Sequence, residues 1–145
     1  MKLSTKGRYG VKAMFELAAN YGQDPMSIKT ISERQHISDY YLEQLFSGLR
    51  KAGLIKSIRG AQGGYILTRS PGEISIADIL NVLEGPIEIS ECILDGEDTS
   101  CTRAHCCSTR LLWQKISDSV NSVIENTTLQ DLVDDYTQMS SEKGE

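Results

Sequence analysis

The chain has no stretch of about 18 apolar residues that could cross a membrane as a helix. Its opening, Met1-Lys2-Leu3-Ser4-Thr5-Lys6, lacks the apolar core of an export signal. No membrane partner is expected, and a cytoplasmic location is. Cysteine is missing from the first 91 residues, and the four that occur avoid C-x-x-C spacing, which weakens the zinc-ribbon and thioredoxin readings. Histidine occurs twice, at His36 and His105, with no Ser or Asp partner arranged around a pocket, so an enzyme is not expected. Positive charge is scarce overall: the net of −5, taken alone, argues against a nucleic-acid partner.

The distribution of charge reverses that last inference. Residues 1 to 70 carry 11 Lys/Arg against 5 Asp/Glu, whereas residues 71 to 145 carry 4 against 15. A basic N-terminal half can hold DNA phosphates while the acidic half stays clear of them. With 145 residues and 39% hydrophobic content, the chain can bury one core and carry a helical appendage, but not two large domains.

The stretch from Ser27 to Leu67 organises the rest. Ser27 caps a short helix ending at Gln35, and His36-Ile37 makes a tight turn into a second helix. That helix is bounded by Ser38 as N-cap and Gly53 beyond its end, and Leu42, Leu45 and Leu49 give it one buried stripe. Off the stripe lie Tyr40, Tyr41, Glu43, Gln44, Ser47, Arg50 and Lys51, groups able to reach base edges or phosphates. Two helices joined this way form a helix-turn-helix, whose second helix enters the major groove. Strand-like Leu54–Ile58 and Tyr65–Leu67 then flank Arg59-Gly60-Ala61-Gln62-Gly63-Gly64, a glycine-rich wing with Arg59 placed for the minor groove. A nucleotide cradle would need a Lys-Ser/Thr ending and a helix directly after, and has neither. The candidate DNA-binding residues are Ser38, Tyr40, Tyr41, Glu43, Gln44, Arg50, Arg59, Gly60, Gly63 and Gly64. Glu43 suits a cytosine amino group as acceptor, or a Lys or Arg on its own helix.

Around this unit the periodicity predicts further helices. Ser4 to Tyr21 places Tyr9, Ala13, Met14, Leu17, Ala18 and Tyr21 near one face, with Lys2, Lys6, Arg8 and Lys12 available to a phosphate backbone. Ser75 to Gly85 carries a capping box, Ser75 with Asp78, and buries Ile76, Ile79, Leu80 and Leu83. From Ser108 to Asn126, Leu112, Ile116, Val120, Val123 and Ile124 form an apolar stripe, with Leu111 and Trp113 adjoining. So long a helix on so small a domain calls for a partner, and the same helix of a second copy makes a homodimer. Thr128 and Asp131 cap a last short helix with Leu129, Leu132 and Val133, and a disordered tail is expected after it. The fold class is mainly α with a small β-hairpin: a winged helix-turn-helix domain over 1–85, a cysteine-rich loop over 86–107, a dimerisation helix and short helix over 108–138, and the tail over 139–145.

Cys92, Cys101, Cys106 and Cys107 fall within sixteen positions, which favours a metal or redox site over a disulfide framework in a cytosolic chain. Thiolates suit iron–sulfur clusters or zinc, the latter with His105, and a metal-free thiol switch is the third reading.

Several segments carry a family resemblance: Met1 to Tyr9, Ile31-Ser32-Glu33-Arg34-Gln35, Tyr41-Leu42-Glu43-Gln44-Leu45-Phe46 with Leu49-Arg50-Lys51, and Arg59-Gly60 with Gly63-Gly64-Tyr65. Together they resemble the Rrf2 family of winged-helix transcription regulators, and within it the iron–sulfur cluster regulators. The resemblance implies a homodimer that reads a double-stranded operator, as a repressor among other roles, with Tyr41, Glu43 and Gln44 at the groove and Arg59 in the wing. It implies a 2Fe-2S cluster on three cysteines of the loop. Cys107 precedes Ser108-Thr109-Arg110-Leu111-Leu112-Trp113, which matches the stretch after the family's third cysteine, so the implied ligands are Cys92, Cys101 and Cys107. The fourth ligand departs from the pattern. Arg110 stands where the similar regulators place a histidine, and Arg8 where a nitric-oxide-sensing branch has an acid. His105 and Cys106 are the local substitutes, with Asp95, Glu97 and Asp98 as carboxylate donors. The implied function is control of iron–sulfur biogenesis genes, with the cluster-assembly machinery as a candidate partner. Within the same family stand a cysteine-metabolism regulator and a thiol- or nitric-oxide-responsive one; outside that class stands a cluster carrier that does not bind DNA.

Overall fold

The computed structural model describes residues 3–85 and 108–143. Side-chain caps fix where its helices begin. Ser4 Oγ accepts from Gly7 N at 3.4 Å and starts α1, Thr5–Ala19. Ser27 Oγ accepts from Thr30 N at 3.2 Å and starts α2, Ile28–Gln35. Ser38 Oγ accepts from Tyr41 N at 3.2 Å and starts α3, Asp39–Lys51. Each cap satisfies one of the backbone donors that a helix start leaves unpaired. The turn between α2 and α3 passes through His36 at φ +56°, a left-handed conformation costing about 1–2 kcal/mol outside glycine. Its backbone N–H donates to the Ser32 carbonyl and closes α2.

Strand β1, Ile55–Ile58, pairs antiparallel with β2, Gly64–Leu67, in the register Ile55 to Leu67 and Ile58 to Gly64. Met26, just before α2, adds one rung on the other side of β2. Its N–H donates to Tyr65 O at 3.1 Å, and Tyr65 N–H returns a bond of 2.8 Å to Met26 O. The hairpin is therefore tied to the start of the helix-turn-helix as well as to the end of α3.

A 3-10 turn at Pro71–Glu73, not anticipated from the pattern, leads to α4, Ile76–Leu83, which carries the expected capping box of Ser75 and Asp78. Helix α5 spans Ser108–Asn126, and α6, Leu129–Glu142, starts at the Thr128/Asp131 capping box. The junction of α5 and α6 is pinned to the head of α4: Ile76 N–H donates to Thr127 O at 2.8 Å and Leu129 N–H to Ile74 O at 3.0 Å. Leu129 is fully buried in the same core as Met14, Ile31, Leu42, Leu45, Phe46, Leu49, Ile55, Ile74 and Ile79.

Some expectations shift. Helix α1 ends at Ala19, because Asn20 turns the chain and its Nδ2 donates to Asp24 O at 2.7 Å, so Tyr21 lies outside the helix and is exposed. Helix α6 continues through Glu142, into residues expected as a tail. Thr137 and Ser141 hydroxyls bond back to the carbonyls of Val133 and Thr137, and Tyr136 packs edge-on to Phe15 of α1 at 5.5 Å. The single stripe foreseen on α5 divides in two. Trp113, Val120 and Ile124 are half-buried near Ser117, whereas Leu111, Leu112, Ile116 and Val123 are exposed.

Candidate nucleic-acid interface

Helix α3 presents Tyr40, Glu43, Gln44, Arg50 and Lys51 to solvent while Leu42, Leu45, Phe46 and Leu49 are buried. Asp39 in its first turn and Arg50 and Lys51 in its last complement the helix dipole, so the basic groups lie at its C-terminal end. Ser38 is exposed, but its hydroxyl is engaged as the cap. Tyr41 is not free as its spacing implied: it is half-buried, its ring meeting Tyr9 of α1 edge-on at 5.9 Å and 86°, with Lys12 Nζ 5.5 Å from the Tyr9 centroid.

Arg59 is exposed where the wing turns. Its glycines answer to the chain itself. Gly60 sits at φ +114°, and Gly63 N–H donates to Gly60 O at 3.0 Å. A Cβ on Gly63 would collide with the Ile58 carbonyl, and one on Gly64 would lie 2.5 Å from the Met26 backbone. These residues shape and seat the wing, which leaves Arg59 as its charged tip. Phe46 of α3 stacks edge-on with Tyr65 of β2 at 4.8 Å and 67°, so reading helix and wing are held as one piece.

Two contacts escaped the sequence. Glu16, a buried acid on the apolar side of α1, accepts from Gln35 Nε2 at 2.7 Å and Arg34 Nη1 at 3.4 Å, fastening α1 to the end of α2. An acid inside an otherwise apolar stripe was the available signal. Gly7 and Gly10 of α1 face the end of α4, where a Cβ would strike Glu84 and Leu83 respectively; only the recurrence of glycine on one helix face hinted at it. Cys92, Cys101, Cys106, Cys107 and His105, with Asp95, Glu97 and Asp98, lie outside the described residues. No helix among the described residues is long and apolar enough to cross a membrane.

A helix-turn-helix bonded to a hairpin wing, with a long helix beyond it, defines a winged-helix transcription regulator. The chain belongs to the Rrf2 family: the family model described as "Iron-dependent Transcriptional regulator" matches residues 3–135. It is similar to the HTH-type transcriptional regulator CymR of Bacillus subtilis (strain 168), with 48% identity over 142 residues, 98% of this chain and 96% of the relative. The solved structure titled as CymR (YrzC), the global cysteine regulator of B. subtilis, has a TM-score of 0.79 over 92% of this chain and 97% of that one. T. potens IscR has a TM-score of 0.76 at 46% identity, over 94% and 88%. IscR of Cronobacter sakazakii (strain ATCC BAA-894) is 41% identical over 133 residues, 92% of this chain and 80% of the relative. The family and these relatives are transcriptional regulators.

Proposed function

We propose that this Rrf2-type regulator binds its operator as a homodimer, with α3 in the major groove and Arg59 in the minor groove. The observation that supports this reading is the coupling of α3 to the wing through Phe46 and Tyr65, together with the exposure of Tyr40, Glu43, Gln44 and Arg50 on α3 and of Arg59 on the wing. Glu43 accepts from a cytosine amino group and so discriminates among operators. The exposed apolar residues of α5 supply the face on which a second copy closes a symmetric pair. Arg59→Ala is expected to weaken operator binding about tenfold and to reduce the salt dependence by roughly one phosphate-equivalent. Titrations at several salt concentrations measure both, and unchanged affinity would remove Arg59 from the interface.

The effector we propose is a 2Fe-2S cluster on Cys92, Cys101 and Cys107, with His105 or Cys106 completing the set. The donor set fits: three or four soft thiolates lie within sixteen positions. When bound, the cluster supplies an oxidation-sensitive iron centre whose loss reports iron–sulfur status. The regulated genes would then be those of iron–sulfur biogenesis, and the assembly machinery the source of the cluster. Anaerobic reconstitution is expected to give visible absorption with stoichiometric iron and acid-labile sulfide. Cys92→Ala, Cys101→Ala and Cys107→Ala together should abolish the colour and alter repression. Similarity to the cysteine regulator favours a second reading, in which the chain responds to cysteine metabolism and the thiols are dispensable. A colourless protein whose triple variant represses as the parent does would select it.

A further inference from the structure

Gly7 stands at the third position of α1, where alanine would favour the helix more. Its neighbour explains the choice. A Cβ at Gly7 would lie 2.7 Å from Glu84 Cδ and 2.8 Å from Oε1, so the carboxylate occupies the space that a side chain would need. From that seat Glu84 Oε1 accepts from Ser4 N at 2.7 Å and from the Ser4 hydroxyl, the residue that caps α1. One turn on, Gly10 lets Leu83 pack closer still. The opposite side of the same two turns holds Tyr9 against Tyr41, in the first turn of α3. The start of α1 is thus clamped between the end of α4 and the start of the reading helix. Glu84 and Gly85 are also the last residues before the chain enters 86–107, which contains all four cysteines.

We propose that Glu84 is a positioning residue for operator reading, the latch being its carboxylate, which seats the first turn of α1, and α1, which in turn seats Tyr41 of α3. The inference rests on the proposed reading of DNA by α3. A side chain that moves out of the Gly7 seat frees the capped turn, and the Tyr9 ring shifts with the helix that carries it.

Two variants release the latch by opposite means. Glu84→Ala removes the carboxylate; Gly7→Ala evicts it while raising helix propensity, so a weakened α1 cannot account for a shared phenotype. Both are expected to bind operator about tenfold more weakly, within the usual range of coupling effects, and an unrelated duplex within about twofold of the parent. Without DNA, amide exchange should quicken over residues 4–8 and over 39–43 in both variants. Parent-like operator binding, an equal loss on both duplexes, or unchanged exchange over 39–43 overturns the latch. A parent that prefers no duplex overturns the reading of α3 instead, and the exchange measurement still decides the latch.

Discussion

Phe46→Ala is expected to destabilise the protein by about 3–5 kcal/mol, the usual cost of emptying an aromatic site in a close-packed core. For a chain of this size that lowers the melting temperature by roughly 10 °C or more. The ring is fully buried, among the largest side chains in the core, and lies edge-on to Tyr65 at 4.8 Å. Tyr65 is in turn bonded twice through its backbone to Met26. Removing the ring opens a cavity behind α3 and withdraws the support that sets the wing angle. Operator affinity should therefore fall further than the stability loss alone implies when both are measured under conditions where the variant remains folded. Phe46→Leu, which keeps most of the volume, should cost less than about 1.5 kcal/mol. Thermal and urea unfolding followed by circular dichroism check the first effect, and operator titration checks the second. A melting temperature within about 3 °C of the parent would show that the site collapses around the missing ring and that α3 and wing are joined elsewhere.

Phe46 also marks the limit of what periodicity discloses. Leu42, Leu45 and Leu49 repeat at helical spacing and were legible as one stripe; Phe46 widens that stripe toward β2, a neighbour defined only when the hairpin folds back. Signals confined to a few consecutive residues were reliable. Ser27, Ser38, Ser75 and Thr128 all act as the caps that their positions implied, and Ser75 and Thr128 close capping boxes with acids three residues on. Contacts joining distant parts of the chain left fainter traces. Glu16 reads as an interruption of an apolar face until Gln35 and Arg34 arrive from α2, and Gly7 reads as a weak helix residue until Glu84 arrives from far along the chain. Tyr41 shows the converse error: its spacing assigned it to the open face, but Tyr9 reaches across from α1 and half covers it. The wing was legible as a turn from its glycines, while the reasons that Gly63 and Gly64 resist a side chain, the Ile58 carbonyl and the Met26 backbone, are tertiary.

Leu112→Glu combined with Val123→Glu is expected to give a folded monomer that binds operator at least about 100-fold more weakly. The exposures decide this choice: Leu111 is 66%, Leu112 48%, Ile116 36% and Val123 64% accessible, whereas Trp113, Val120 and Ile124 are half-buried. One side of α5 thus meets its own domain, with Ile124 beside Ile76 and Leu80 of α4, and a second apolar side is left over. Leu112 and Val123 are not among the buried residues of the core, so charges there should cost the isolated fold no more than about 1 kcal/mol. They would instead be buried without partners between two copies, which no symmetric helix pair tolerates. The effect on DNA follows from effective concentration. In a dimer the second reading head binds its half-site as an intramolecular event, a gain of about 10²–10⁴ that disappears when the heads separate. Each monomer keeps Arg50, Arg59 and its other cations, so weak salt-sensitive binding to any duplex should survive while operator preference is lost. Sedimentation equilibrium gives the mass, and titration on full and half operators gives the affinities. A double variant that stays dimeric would move the interface off this face of α5, and a monomer that binds the full operator like the parent would remove the need for a second head.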